Sequence, residues 1–432
     1  MFVSDCLNIN SHGHLTIGER DTIELAQTFG TPLYVMDERQ IRENCRRYKR
    51  SMDQFYGGKG LVAYASKAFC CKAMCAIAAD EGLGLDVVSG SELFTAISAG
   101  FPIGRIIFHG NNKTPDELTY AVQCGVGRIV VDNIYELELL NQIAAGVKAK
   151  PNIQFRIKPG IDAHTHDFVQ TGQIDSKFGF ALETGEALGA VEKALGMSNV
   201  HVCGVHCHIG SQIFDIDPFE LAASVMLGFI AEVKQKLGYE IGELNLGGGF
   251  GIKYIPEHDP VEYEKYMKHI SQVVKDTCNE KNIKMPFILM EPGRSIVGPA
   301  GVTLYKVGAV KEIPGIRTYV SVDGGMTDNP RYALYQSQYD MVIANKAAQP
   351  KNQVYTVAGR CCESGDLLGE HVPMQEANVG DTLAVLATGA YNYSMSSNYN
   401  RLPKPAVIMV NGADARIVVR RESYEDIIRN DL

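Results

Sequence analysis

Eight short runs rich in aliphatic and β-branched residues recur along the chain as far as Arg294. They are GLVAYAS from Gly60, LGLDVVS from Leu83, RIIFHG from Arg105, RIVVDN from Arg128, NIQFRIKPG from Asn152, HVCGVHCHIGS from His201, ELNLGGGFG from Glu243 and FILMEPGR from Phe287. Their first residues stand 23, 22, 23, 24, 49, 42 and 44 positions apart. Each interval is long enough for a helical crossover between parallel strands, and segments such as AASVMLGFIAEVKQKLG have the composition to form one. Runs so continuously apolar suit strands buried on both faces. Eight strand-plus-helix units predict an α/β chain built on a (β/α)8 TIM-like barrel rather than on an open sheet.

Beyond about residue 300 the texture changes. VTLYKVGAV, RTYVSVDGG, QVYTVAG, DTLAVLATGA and AVIMVNGADARIVV follow one another without helical intervals, and Asn411-Gly412-Ala413-Asp414 reads as a hairpin turn. A C-terminal antiparallel β domain is expected. The division predicted is a barrel over 30–290, with 1–29 and 291–432 forming the β domain. The strand-like HLTIGERD and TPLYVMD near the start suit either one.

With 45% hydrophobic and 21% charged residues in 432, the chain has the composition of a globular protein, not of a disordered or fibrous one. The 41 Lys and Arg against 50 Asp and Glu give a net charge of −9 without a long run of one sign, so no nucleic-acid or membrane-surface partner is indicated. Eleven cysteines, an odd number that includes the adjacent pairs Cys70-Cys71 and Cys361-Cys362, make a poor disulfide framework. The opening residues lack a secretory pattern, and no stretch approaches the ~18 apolar residues of a membrane span. A cytoplasmic protein is expected.

Barrels of this type place their chemistry at the C-terminal ends of the strands. The first run ends in Tyr64-Ala65-Ser66-Lys67, a lone lysine between apolar stretches. Partial desolvation would make it a Schiff-base nucleophile, while a snorkelling lysine at a helix start is the plainer alternative. Gly247-Gly248-Gly249, after the seventh run, suit either a phosphate cradle or a tight turn. His206 and His208 point the same way if the sixth run stays extended. They are read as a ring-stacking histidine beside a hydroxyl phosphate contact at Ser211, and no metal site is expected. Glu291-Pro292-Gly293-Arg294 puts a carboxylate at the barrel mouth, able to hold a heterocyclic nitrogen protonated. Lysine, glycine-rich turn and glutamate together suit pyridoxal 5′-phosphate.

These segments, with Asp86-Val87-Val88-Ser89, Phe108-His109-Gly110-Asn111-Asn112-Lys113 and His208-Ile209-Gly210-Ser211-Gln212, resemble the alanine-racemase-like, fold type III pyridoxal-phosphate decarboxylases. Thr171-Gly172, Ser176-Lys177-Phe178-Gly179 and Cys361-Cys362-Glu363-Ser364-Gly365-Asp366 are most similar to the diaminopimelate-decarboxylating branch. The resemblance implies decarboxylation of meso-2,6-diaminopimelate to L-lysine and CO2, the last step of lysine biosynthesis. It implies Lys67 as the covalent cofactor residue, Glu291 as the pyridine-nitrogen partner and His208 as the stacking ring. Ser211, Gly248, Gly249, Pro292, Gly293, Arg294 and Tyr391 would surround the cofactor. Arg294, Arg331, Tyr335, Glu363 and Tyr391 would contact substrate, and two arginines with a glutamate and tyrosines suit a molecule with carboxylate and ammonium groups at both ends. Cys362 would be the proton donor, supplied across a homodimer interface, with Cys361 as its competitor. Segment 162–171 is expected to cover the bound substrate.

Overall fold

The computed structural model describes residues 2–161 and 176–432, so segment 162–171 and Thr171-Gly172 lie outside the described residues. The chain divides into two compact units. A barrel unit comprises Cys45–Gly251 and Pro260–Gly293, and a sheet unit comprises Met1–Asn44, Ile252–Asp259 and Arg294–Leu432.

In the barrel unit all eight runs form strands: β1 (Gly60–Ala65), β2 (Gly84–Val87), β3 (Ile106–Phe108), β4 (Arg128–Val131), β5 (Asn152–Lys158), β6 (His201–His206), β7 (Glu243–Asn245) and β8 (Phe287–Met290). Every neighbouring pair is parallel, and β8 returns to pair with β1, which closes the barrel. The helices that follow the strands begin where short polar side chains can satisfy their free N–H groups. Ser89 caps Gly90–Ser98, Asn133 caps Ile134–Gly146, and Thr114 forms a reciprocal capping box with Glu117 at Pro115–Cys124.

The barrel interior has a thin apolar layer of Ala63, Ile107, Val130 and Leu289. A connected file of polar side chains runs beside it. Arg128 makes two 2.7 Å bonds to the Glu243 carboxylate. Gln154 Nε2 donates to Glu243 Oε2 at 2.8 Å, and Asn245 Nδ2 donates both to Gln154 Oε1 at 3.3 Å and to Glu291 Oε1 at 2.6 Å. Buried groups of this kind are tolerated only when each finds its partner.

The sheet unit is centred on Leu33–Asp37, whose five residues are all buried, so this strand needs neighbours on both edges. It has them in Gly301–Ile313, antiparallel, and Ala406–Asn411, parallel. The nine-stranded sheet extends on one side through Arg317–Val322, Gln353–Ala358 and Leu367–Met374, and on the other to Asp414–Val419. Pairing is mostly antiparallel, with Arg317–Val322 against Gln353–Ala358 as a second parallel pair. TPLYVMD therefore belongs to this sheet, while HLTIGERD pairs with Leu7–Ile9 in a small antiparallel sheet. The expected hairpin is present: Asn411 faces Asp414 across a turn in which Gly412 takes φ 59°. Among the described residues no helix is long and apolar enough to cross a membrane.

Candidate active site

Lys67 follows β1 directly, in the 3-10 turn Ser66–Ala68. The turn is held from three directions. Tyr64 Oη donates to the Phe69 carbonyl at 2.9 Å, Ser66 Oγ donates to Glu92 Oε2 at 2.8 Å, and the Ala65 N–H donates to the Pro292 carbonyl at 3.1 Å. Glu92 also accepts the Val88 N–H, which links the ends of β1 and β2. Ser66 and Ala68 turn inward and leave Lys67 exposed, so the barrel itself does not supply the desolvation expected from the flanking apolar residues.

Glu291, immediately after β8, is buried and fully engaged. His109 Nε2 lies 2.7 Å from Oε1, His206 Nε2 lies 3.2 Å from Oε2, and Asn245 Nδ2 adds its 2.6 Å bond. Burial alone would raise the Glu291 pKa, but the two imidazoles hold it well below the usual carboxylate range. Asp86, inside β2, is pushed up to about 6, chiefly by burial; its Oδ1 has no hydrogen-bond partner among the described residues and lies 3.8 Å from His109 Nε2. His109, His206 and Glu291 are of metal-ligating types with donor atoms within 4.8 Å of one another, but they serve one another as hydrogen-bond partners. His109 follows β3 directly and Asn245 is the last residue of β7, so the strand-end rule that singled out Lys67 also reaches them; Asp86 lies inside β2 and carries no such signal.

This cluster gives a pH prediction. Burial, helped by the positive charges of His109 and Arg156 and opposed by Glu291, pushes His206 from its ordinary 6.5 down to about 4. The folded state then binds this proton less readily than the unfolded state, so the stability tied to His206 is full above pH 6.5 and is lost as pH falls through 4. Measured by urea unfolding, the stability of the native chain relative to His206→Gln should drop by about 3 kcal/mol between pH 7 and pH 4. A pH-independent difference would contradict the shift.

The loops after β6 and β7 are zipped together. Ile213 N–H donates to the Gly249 carbonyl and Gly251 N–H to the Ile213 carbonyl, both at 3.0 Å. A Cβ on Gly248 would stand 2.1 Å from the Glu291 carbonyl, and one on Gly249 would stand 2.5 Å from that of Gly210. Close backbone approach therefore already accounts for these glycines. Strand β6 ends at His206, so His208 lies in the loop beyond it, half-buried, with Nδ1 accepting the Gly248 N–H at 3.3 Å. Burial, then the nearby cations Lys67 and Arg156, hold the His208 pKa well below 6.5, which leaves a neutral ring. Ser211 is half-buried on the same loop, and Gln212 beside it takes φ 62°.

The other predicted residues belong to the sheet unit. Arg294, the first residue of a short helix, is buried, and its Nη1 donates to Tyr254 Oη at 2.6 Å. Its guanidinium lies 4.7 Å from the centre of the Tyr391 ring, and Arg331 approaches the same ring at 5.5 Å and that of Tyr335 at 5.2 Å. Tyr391 takes φ 64°, a left-handed conformation that a tyrosine adopts only under constraint. Arg331 is 8% exposed, pairs with no carboxylate among the described residues, and its Nε has no hydrogen-bond partner there. Tyr254 and Tyr339, whose rings meet edge to face at 5.1 Å, complete the cluster. After Pro330 the chain enters a short helix, Arg331–Tyr335, with Arg331 turned inward. Cys362 and Glu363 are exposed on a separate loop.

A family model described as the pyridoxal-binding domain of pyridoxal-dependent decarboxylases matches residues 38–298. The chain belongs to this family. It is 51% identical over 422 residues to the diaminopimelate decarboxylase of Bacillus methanolicus, covering 98% of each chain. It is 48% identical to that of Bacillus subtilis, covering 100% of this chain and 98% of the relative. The crystal structure of diaminopimelate decarboxylase from m. jannaschii in complex with L-lysine superimposes with a TM-score of 0.92 at 37% identity, covering 100% of this chain and 99% of that one. The cofactor of the family is pyridoxal 5′-phosphate, and the barrel mouth suits it. An ionised Glu291, a neutral His208 and an exposed Lys67 amine are groups that suit a phosphorylated pyridine aldehyde.

Proposed function

We propose that this chain decarboxylates meso-2,6-diaminopimelate to L-lysine and CO2, as the last step of lysine biosynthesis in the cytoplasm. The observation that carries the reading is Arg331: a buried guanidinium among tyrosines, without a carboxylate of its own, suits a substrate that brings a second carboxylate. Full-length similarity to diaminopimelate decarboxylases supports the same substrate.

Bound pyridoxal phosphate supplies an electron sink for the pair left on Cα when the α-carboxylate departs. Lys67 would hold the cofactor. Glu291, kept ionised by His109 and His206, would hold a proton on the pyridine nitrogen, and the neutral His208 ring would pack on the cofactor ring. Ser211, Gly248, Gly249, Tyr391 and the backbone of Pro292, Gly293 and Arg294 would hold the phosphate. Arg294, Arg331, Tyr335, Glu363 and Tyr391 bind the substrate. Cys362 delivers the proton to Cα, and its exposure on a loop apart from the arginine cluster is in keeping with donation to the site of a second subunit in a homodimer.

The test is lysine formation by purified, cofactor-loaded protein given meso-diaminopimelate, with ornithine, arginine and carboxynorspermidine run beside it. Lysine from diaminopimelate alone is expected. Turnover of one of the others instead would remove Arg294, Arg331 and Glu363 from their roles. Arg331→Met should lower kcat/KM for diaminopimelate by about a hundredfold or more, since two charge-assisted hydrogen bonds of ~1.5 kcal/mol or more each are lost, while the cofactor absorbance stays in place. Unchanged kcat/KM would rule the contact out.

A further inference from the structure

The Cys361-Cys362-Glu363-Ser364-Gly365-Asp366 loop is organised around one buried carboxylate. Asp366 is 3% exposed. Its Oδ1 accepts the Met326 N–H at 2.6 Å and its Oδ2 accepts the Cys361 N–H at 2.7 Å. Its backbone closes the loop: the Asp366 carbonyl accepts the Gly359 N–H at 2.9 Å, and the Asp366 N–H donates to the Glu363 carbonyl at 3.1 Å. Two glycines leave room for the carboxylate, since a Cβ on Gly325 would stand 2.4 Å from Oδ1 and one on Gly359 would stand 2.2 Å from Oδ2.

The two adjacent cysteines meet opposite surroundings. Cys361 is half-buried with its backbone N–H held on Asp366 Oδ2, and the Asp366 and Asp328 carboxylates lie near its thiol. Burial first, then the Asp366 and Asp328 carboxylates, push it up to about 12. Cys362 is exposed, and only its backbone is tied down, its N–H donating to Asn400 Oδ1 at 2.7 Å.

We infer that Asp366 is a positioning residue that selects between the two thiols: its carboxylate draws Cys361 inward and thereby presents Cys362 as the single proton source. This rests on the reading of Cys362 as the proton donor. Nothing in the sequence separates the two cysteines except their order, whereas the loop geometry separates them fully.

The experiment is timed alkylation of the holoenzyme with iodoacetamide at pH 8, with each cysteine followed by peptide mass spectrometry. Cys362 is exposed, whereas Cys361 is half-buried with carboxylates near its thiol that disfavour the thiolate, so Cys362 should react at least about a hundredfold faster than Cys361. Asp366→Asn keeps the shape, removes the charge and sets an amide N–H2 against a backbone N–H. It should bring the two rates within about tenfold and lower kcat by about tenfold or more, with KM and cofactor absorbance unchanged. Gly359→Ala, which displaces the carboxylate from the other side, should narrow the ratio in the same way and covers the case in which Asp366→Asn does not fold.

Equal labelling in the native protein, or a ratio unmoved by both substitutions, overturns the inference, as does a collapsed ratio with unchanged kcat. Cys362→Ala distinguishes the two failures. Unimpaired turnover by that variant removes the donor reading, and the role of Asp366 in the reaction with it, whereas the labelling ratio still reports whether Asp366 sorts the thiols.

Discussion

Lys67→Ala is expected to lower turnover by at least about a thousandfold and to remove the absorbance of the covalently held cofactor. The position leaves no obvious substitute. The turn is fixed by the Tyr64, Ser66 and Ala65 hydrogen bonds, and both neighbours of Lys67 point into the protein. The next lysine along the chain, Lys72, opens a separate helix, Lys72–Asp80. Because Lys67 is exposed, its removal leaves no cavity and no unpaired partner, so unfolding should be nearly unchanged. A variant that keeps the covalent absorbance without added amine would show that another residue carries the cofactor.

Glu291→Gln is expected to lower kcat by about a hundredfold to a thousandfold, the range for removing one preorganised charge from a water-excluded site. The substitution keeps the shape but removes the charge proposed to hold a proton on the pyridine nitrogen. It also places an amide N–H2 among three donors, His109, His206 and Asn245, at least one of which must turn away. Stability should therefore fall together with activity, and the absorbance maximum of the bound cofactor should move as the ring loses its proton. Unchanged kcat with an unmoved spectrum would exclude Glu291 as the nitrogen partner. Asn245→Leu provides a control, because it removes one of the donors and leaves the charge.

The barrel was legible because its evidence is repetitive. Eight apolar runs at crossover spacing have few other ways to be buried, and the residues at their ends drew attention to Lys67, His208 and Glu291. What was not legible depended on contacts between distant parts of the chain. The exposure of Lys67 follows from a single helical turn, and apolar neighbours in sequence misjudged it. The burial of Arg331 depends on Tyr335, Tyr339 and Tyr391, brought together by loops that have no periodic pattern. Tyr254 joins them through the excursion Ile252–Asp259, which leaves the barrel unit for the sheet unit without any shift in composition. The glycines after β7 illustrate a different limit: their sequence suited either a cradle or a turn, and the backbone approaches at Gly248 and Gly249 require glycine whether or not an anion is bound.

The polar file from Arg128 through Glu243, Gln154 and Asn245 to Glu291 has a consequence for how the barrel assembles. A barrel wall of continuous aliphatic residues is nearly indifferent to a slide of one strand past the next, because an isoleucine packs about as well one step along. Hydrogen bonds are not indifferent in this way. Sliding β5, β7 or β8 by one residue would strand a carboxylate or an amide in a dry interior, at a cost of roughly 1–3 kcal/mol for each neutral group and more for each charge. Four strands are thus pinned at a single stagger, and the stagger sets the tilt and width of a closed barrel. In this chain the carboxylate proposed to face the cofactor is also the last pin that sets the diameter of the vessel around it.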